Sequence, residues 1–122
     1  LSGITSYEPG VAMNEVDHQG RNSADEVLLV ISIQTLPGKR HEQIAAYEHL
    51  APIVRAEPGC LQYDLHPVAD DENRFVLIER WASAAALAAH DATPHMVAND
   101  ARSPGFRAAP ATVVRLMPER VA

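Results

Sequence analysis

Residues 60–81 read CLQYDLHPVADDENRFVLIERW. From Cys60 to His66 the side chains alternate. Leu61, Tyr63 and Leu65 fall on one face, and Gln62, Asp64 and His66 on the other, the period-two pattern of a half-buried strand. Residues 70–73 form a polar turn. Residues 74–81 are a second strand, with Phe75, Leu77, Glu79 and Trp81 on one face and Val76, Ile78 and Arg80 on the other. Two such runs joined by a short loop make an antiparallel hairpin. What flanks this hairpin decides the fold.

Upstream, VLLVISIQT at residues 27–35 is β-branched and almost continuously apolar, so it is a strand with both faces covered. Pro37-Gly38 turns the chain. Beyond Lys39, Ile44, Tyr47, Ala51 and Val54 recur at helical spacing, which predicts a helix to about Ala56, ended by Pro58-Gly59. Pro52 removes one helical hydrogen bond, so a bend near Glu48 is expected. Downstream, Ser83 caps a helix running to about Asp91. Thr93-Pro94 caps a second one, with proline in its first turn, running to about Arg102. Ser103-Pro104-Gly105 stops it, and residues 111–117 (ATVVRLM) are the last strand.

The order β-α-β-β-α-β is the ferredoxin-like pattern of the α+β class: a four-stranded antiparallel sheet with helices on one face. The folded domain spans residues 26–118. Residues 1–25 are an irregular N-terminal extension, expected to lie against something such as a second subunit, and residues 119–122 are a tail. Helices on one face leave the other bare. Val76, Ile78 and alternate residues of VLLVISI would lie on it, and an apolar face of that kind predicts a symmetric homodimer.

The chain has 122 residues and a net charge of −6, with 10 Lys plus Arg and 16 Asp plus Glu. Without clustered cations there is no nucleic-acid groove. The longest apolar run is too short for a membrane span. The single cysteine, Cys60, fits a reducing, cytoplasmic setting and reads as a half-buried structural thiol. The first residue is Leu, which leaves room for an upstream piece. No phosphate loop or nucleophile elbow occurs.

The chemistry-bearing groups gather in residues 75–95, FVLIERWASAAALAAHDATPH. Trp81 is either a core residue or a pocket wall that stacks on a flat ligand. Glu79, on an apolar strand face, is either a buried partner for a histidine or arginine or a proton acceptor facing a cavity. His90 and His95 are five apart across the Thr93-Pro94 break. That is not the spacing of a helical zinc pair, so no metal site is expected. Each is a general-base candidate or a surface histidine. His18, His41 and His49 are expected in solvent, and His66 on the sheet face that would meet a partner. Tyr47 and Tyr63 either close the same pocket or fill core.

PGKRHEQ, RAEPGCLQYDLH, NRFVLIERWAS and AAHDATPHM, in this order, resemble the antibiotic biosynthesis monooxygenase family, in particular its quinol-monooxygenase-like members. The resemblance implies a ferredoxin-like homodimer whose sheets pack into a joint α/β barrel, with a pocket between sheet and helices in each subunit. It implies oxygenation of quinols, phenols or anthrones by dioxygen, with no metal or organic cofactor. The family's E-x-W falls on Glu79 and Trp81, and its histidines on His90 and His95. Haem-degrading members and some oxygenases carry an asparagine on the first strand. Ile31 and Ser32 stand in that region here, which counts against haem breakdown.

The sequence-based expectation is therefore a cavity lined by Leu77, Trp81 and Leu87, with Tyr47, Tyr63 and Ile31 around it. His90 or His95 would act as base, oriented by Glu79, on a small electron-rich aromatic. The alternatives are a non-catalytic dimer that binds a small apolar ligand and, in third place, a haem-binding or haem-degrading protein.

Overall fold

The computed structural model describes residues 23–122. The proposed extension lies outside them apart from a single 3-10 turn at Ser23–Asp25, as does His18. The elements are β1 (Val27–Gln34), α1 (Arg40–Arg55), β2 (Cys60–Val68), β3 (Asp71–Trp81), α2 (Ala84–Asp91), α3 (Pro94–Arg102) and β4 (Thr112–Leu116), with a second 3-10 turn at Ser103–Gly105. The sheet order is β2-β3-β1-β4 and every pairing is antiparallel. This is the ferredoxin-like α+β arrangement.

Period-two burial along β1 and β3 divides the sheet. Val27, Leu29, Ile31 and Ile33 of β1 and Phe75, Leu77, Glu79 and Trp81 of β3 are buried on the helix side. Leu50, Ala51 and Val54 of α1 and Leu87 of α2 pack onto that face. Pro52 is exposed, and α1 stays helical on both sides of it. The other face carries Leu28, Val30, Val76 and Ile78, with Leu116 paired to Leu28 and Val114 to Val30. Val114 is 57% and Leu116 42% exposed.

Two local details differ from the sequence-based expectation. The hairpin turn is tighter. Val68 pairs with Asp71, and Asp70 adopts a positive φ of 65° between them. Aspartate tolerates that left-handed conformation, so β3 starts at Asp71 rather than Arg74. A register shift between Cys60 and Gln62 also breaks the alternation of β2. Cys60, not Leu61, packs against the core opposite Trp81. One extra residue in a strand reverses which side chains face inward.

Caps place the helices as expected. Ser83 Oγ accepts from the Ala86 N–H at 3.1 Å, and Thr93 Oγ1 accepts from the Met96 N–H at 3.4 Å. Gly59 has a φ of +81°, and a Cβ there would lie 2.6 Å from Ala86 Cβ. Only glycine lets the end of the α1–β2 connection approach α2 this closely. That approach carries Glu57 under α2.

Candidate active site

A cleft of about 1100 Å³ opens between the helix side of the sheet and the segment from α3 to β4. Its floor is apolar, from Ile31, Ile33 and Leu77, with the Glu79 carboxyl and Tyr63 set into it. α3 supplies Met96, Asn99 and Asp100 to one wall, and residues 103–111 supply the rest, Arg107 among them. This last segment is tied to the end of β1, because the Leu36 N–H donates to Phe106 O and the Ala108 N–H to Gln34 O, both at 2.9 Å. The cleft lies between sheet and helices: α3 supplies one wall, and α2 reaches it only through Asp91 at its C-terminal end.

Glu79 is 2% exposed. Its Oε1 accepts a hydrogen bond from Trp81 Nε1–H at 2.8 Å. Burial of the carboxyl pushes its pKa up to about 7, and Asp91 and Glu57 push the same way against the Trp81 hydrogen bond. A carboxyl in so apolar a place gives up the solvation that favours its charged form. At neutral pH it therefore both holds and releases a proton.

Behind Glu79, away from the cleft, lies His90, 1% exposed. Its ring stands 4.5 Å from the Trp81 ring, centroid to centroid, and edge-on to Tyr63 at 6.0 Å. Nδ1 is 2.9 Å from Glu57 Oε1. Nε2 is buried without a hydrogen-bond partner and lies 4.0 Å from Glu79 Oε1. The other oxygen of Glu57 meets His95 Nε2 at 2.6 Å. One carboxylate thus bridges both histidines.

The predicted site residues separate into two groups. Glu79, Tyr63, Leu77 and Ile31 line the cleft. Trp81 and Leu87 are core, and His90 is sealed behind Glu79. His95 sits on the far side of Glu57, with 22% of its side chain exposed. Tyr47 stacks on the Tyr63 ring at 5.7 Å and donates its hydroxyl hydrogen bond to Tyr63 O, outside the cleft. So of Glu79, His90 and His95, only Glu79 lines the cleft.

Two residues were missed in the sequence. Glu57 fell between the helix predicted to Ala56 and the Pro58-Gly59 turn and drew no reading of its own; nothing local marks a side chain whose partners are 33 and 38 residues away. Arg107 lay in what read as connecting loop. It borders the cleft with its Nε–H donating to buried Gln43 Oε1 at 2.9 Å, and burial lowers its pKa. A lone cation beside one of only two phenylalanines, in the small-residue run SPGFRAAPA, was the available signal. Asp91 also borders the cleft, and burial raises its pKa. Among the described residues no cluster of His, Cys, Asp and Glu is arranged to hold a metal, and no helix is long and apolar enough to cross a membrane.

An antiparallel β-α-β-β-α-β sheet with a carboxyl-floored cleft under its helices places the chain among small ferredoxin-like α+β proteins. Comparison with known proteins narrows it. Residues 26–100 match the family described as "Antibiotic biosynthesis monooxygenase", and the chain belongs to that family. It is 36% identical over 89 residues to "Putative monooxygenase YcnE" of Bacillus subtilis, an alignment covering 73% of this chain and 94% of the relative. It is 34% identical over 82 residues to "Probable quinol monooxygenase YgiN" of Escherichia coli, covering 57% and 77%. The crystal structure of PA3566 from Pseudomonas aeruginosa superposes with a TM-score of 0.74 at 30% identity, covering 83% of this chain and 99% of that one.

Proposed function

We propose that this protein is a monooxygenase that uses dioxygen, without metal or organic cofactor, on a small electron-rich aromatic of the quinol or phenol type. The single observation that carries the reading is the Glu79 carboxyl, set in an apolar cleft floor and poised near neutrality. Family membership and the names of two relatives support it. A general base works best when its pKa lies near the working pH, and Glu79 meets that condition.

In this reading the aromatic lies on Ile31 and Leu77, and Glu79 takes a proton from its hydroxyl. The anion passes one electron to dioxygen. The resulting radical and superoxide recombine into a carbon-bound peroxide. Scission of the O–O bond, with loss of the carbon's hydrogen and a proton returned from the site, gives a carbonyl and one water. The protein contributes orientation, exclusion of water and proton transfer. Trp81 fixes the Glu79 carboxyl by its indole N–H. His90 and His95 stand behind the base rather than acting as it.

We also propose that the open sheet face, with Leu28 and Val30 of β1, Val76 and Ile78 of β3 and Val114 and Leu116 of β4, joins a second copy into a homodimer, since a row of apolar side chains across three strands is costly to leave in water. A cytoplasmic location belongs to the same proposal.

The test is dioxygen uptake by the purified protein with a panel of hydroquinones, naphthoquinols and anthrones, against their non-enzymic oxidation. Saturable uptake with at least one is expected. Saturable binding without uptake for any would replace the enzyme with a ligand-binding protein. A haem titration read by absorbance separates the haem reading, which predicts a bound spectrum.

A further inference from the structure

We propose that Glu57 is a positioning residue that carries protons between the cleft carboxyl and the protein surface, through His90 on one side and His95 on the other. The inference rests on the reading that Glu79 accepts a proton from a bound substrate. In that reaction the proton is taken up at one step and given back at another, and a base at the floor of a cleft closed by its own substrate can exchange it with solvent in between only through the protein.

Four side chains from four elements form the chain: Glu79 of β3, His90 of α2, Glu57 from the turn after α1, and His95 of α3. His90 and Glu57 are joined at 2.9 Å and Glu57 and His95 at 2.6 Å, while His90 Nε2 stands 4.0 Å from Glu79. Side-chain exposure rises from none at His90, through 11% at Glu57, to 22% at His95. The series leads from interior to solvent, and none of His90, Glu57 and His95 lines the cleft.

The unpaired His90 nitrogen gives the chain its direction. With Nδ1–H donated to Glu57, Nε2 carries a lone pair, and the acidic atom facing it is Glu79 Oε1. A buried nitrogen without a partner is costly, and an anchor that only held α2 in place would not need it aimed at a carboxyl. The 4.0 Å separation is longer than a hydrogen bond, and such contacts tighten when a site fills. Asp91, Tyr63 and Cys60 are ionisable groups around this line, with Arg55, Tyr47 and Arg107 beyond them.

Protons balance at each step. Glu79 gives its proton to His90 Nε2, restoring the carboxylate. His90 releases Nδ1–H to Glu57 Oε1, returning to a neutral imidazole. Glu57, holding a proton on Oε2 against His95, passes that proton to His95 Nε2 as the new one arrives on Oε1, and His95 loses Nδ1–H to water. Net, one proton leaves the cleft and no other group changes charge; the reverse sequence returns a proton for the O–O scission.

The test uses Glu57→Gln, which keeps the shape and an accepting oxygen for His90 but cannot carry a proton, and His95→Gln. Exchange of the His90 ring N–H with water is followed by NMR of protein labelled with nitrogen-15 in histidine, with the backbone spectrum as the check on folding. In the native protein exchange is fast although the ring is sealed. Both variants slow it by roughly tenfold or more, as expected when the acid–base group in a transfer path is removed, and Glu79→Gln leaves it fast. Exchange unchanged in folded Glu57→Gln, or slowed only by Glu79→Gln, overturns the relay.

Turnover is read separately. Where the native protein oxidises a quinol, Glu57→Gln lowers kcat with KM retained, and a relay-independent enzyme keeps both. If native protein takes up no dioxygen while exchange still depends on Glu57, the relay stands and the oxygenase reading falls.

Discussion

The Glu79 carboxyl and the Trp81 indole, two residues apart on β3, point to the same side of the sheet and share a hydrogen bond of 2.8 Å inside the core. Trp81 is the only tryptophan in the chain. Its ring also lies 4.5 Å from His90. The indole is therefore a built-in reporter on the protonation of the site. Its emission should titrate with a midpoint near the value of about 7 to which burial raises Glu79. Glu79→Gln should abolish or displace that transition. A titration curve identical in the two proteins would separate the indole from the carboxyl.

Stability should depend on pH through the same group. The folded-state pKa of Glu79, about 7, lies above its ordinary value of 4.5. The native state therefore binds the proton more tightly than the unfolded chain. This contribution is fully present below about pH 4.5 and is lost as pH rises through 7. Its full size is on the order of 3 kcal/mol, since one pKa unit is about 1.4 kcal/mol. Glu79→Gln, which stays neutral, should gain on the native protein as pH rises from 5 to about 8 in urea unfolding. A constant difference across that range would contradict the assignment.

Gly59→Ala tests the approach of the α1–β2 turn to α2. The left-handed φ and the 2.6 Å contact with Ala86 Cβ both oppose a side chain there. A loss of about 1–3 kcal/mol is expected from thermal or denaturant unfolding. Because Glu57 is two residues away, the His90 and His95 ring resonances should shift as well. An unperturbed, equally stable variant would show that the turn can yield.

Leu116→Lys and Val114→Lys place a charge on the open sheet face without touching the core. Both side chains are more than two-fifths exposed in the single chain, so the fold should tolerate them. If this face joins two copies, each variant should sediment as a monomer at concentrations where the native protein is a dimer. Unchanged sedimentation of a native dimer would move the interface elsewhere.

The hairpin, the caps at Ser83 and Thr93 and the apolar face of β1 were legible because each depends on neighbours within a few residues. The bulge at Leu61 was not. Its sequence alternates like any strand, and only pairing with β3 shows that Cys60 faces Trp81. The site was half legible. Glu79 stood out as a carboxyl among apolar residues on one strand face, and His90 as a polar residue on an alanine-rich helix. That His90 lies behind Glu79 depends on how far α2 sinks towards Gly59, a tertiary packing distance with no local signature. The wall from residues 103–111 likewise depends on pairing with the end of β1, 70 residues or so distant.

The most direct measurement of the central claim is kcat for dioxygen-dependent quinol oxidation by Glu79→Gln beside the native protein, across pH 5 to 9. Glutamine keeps an oxygen for the Trp81 N–H, so the cleft should hold its shape. The account predicts a kcat lower by roughly 100-fold or more, typical of losing a general base, with KM little changed and the native rise in rate near pH 7 gone. A variant that turns over at the native rate with the native pH profile would contradict it.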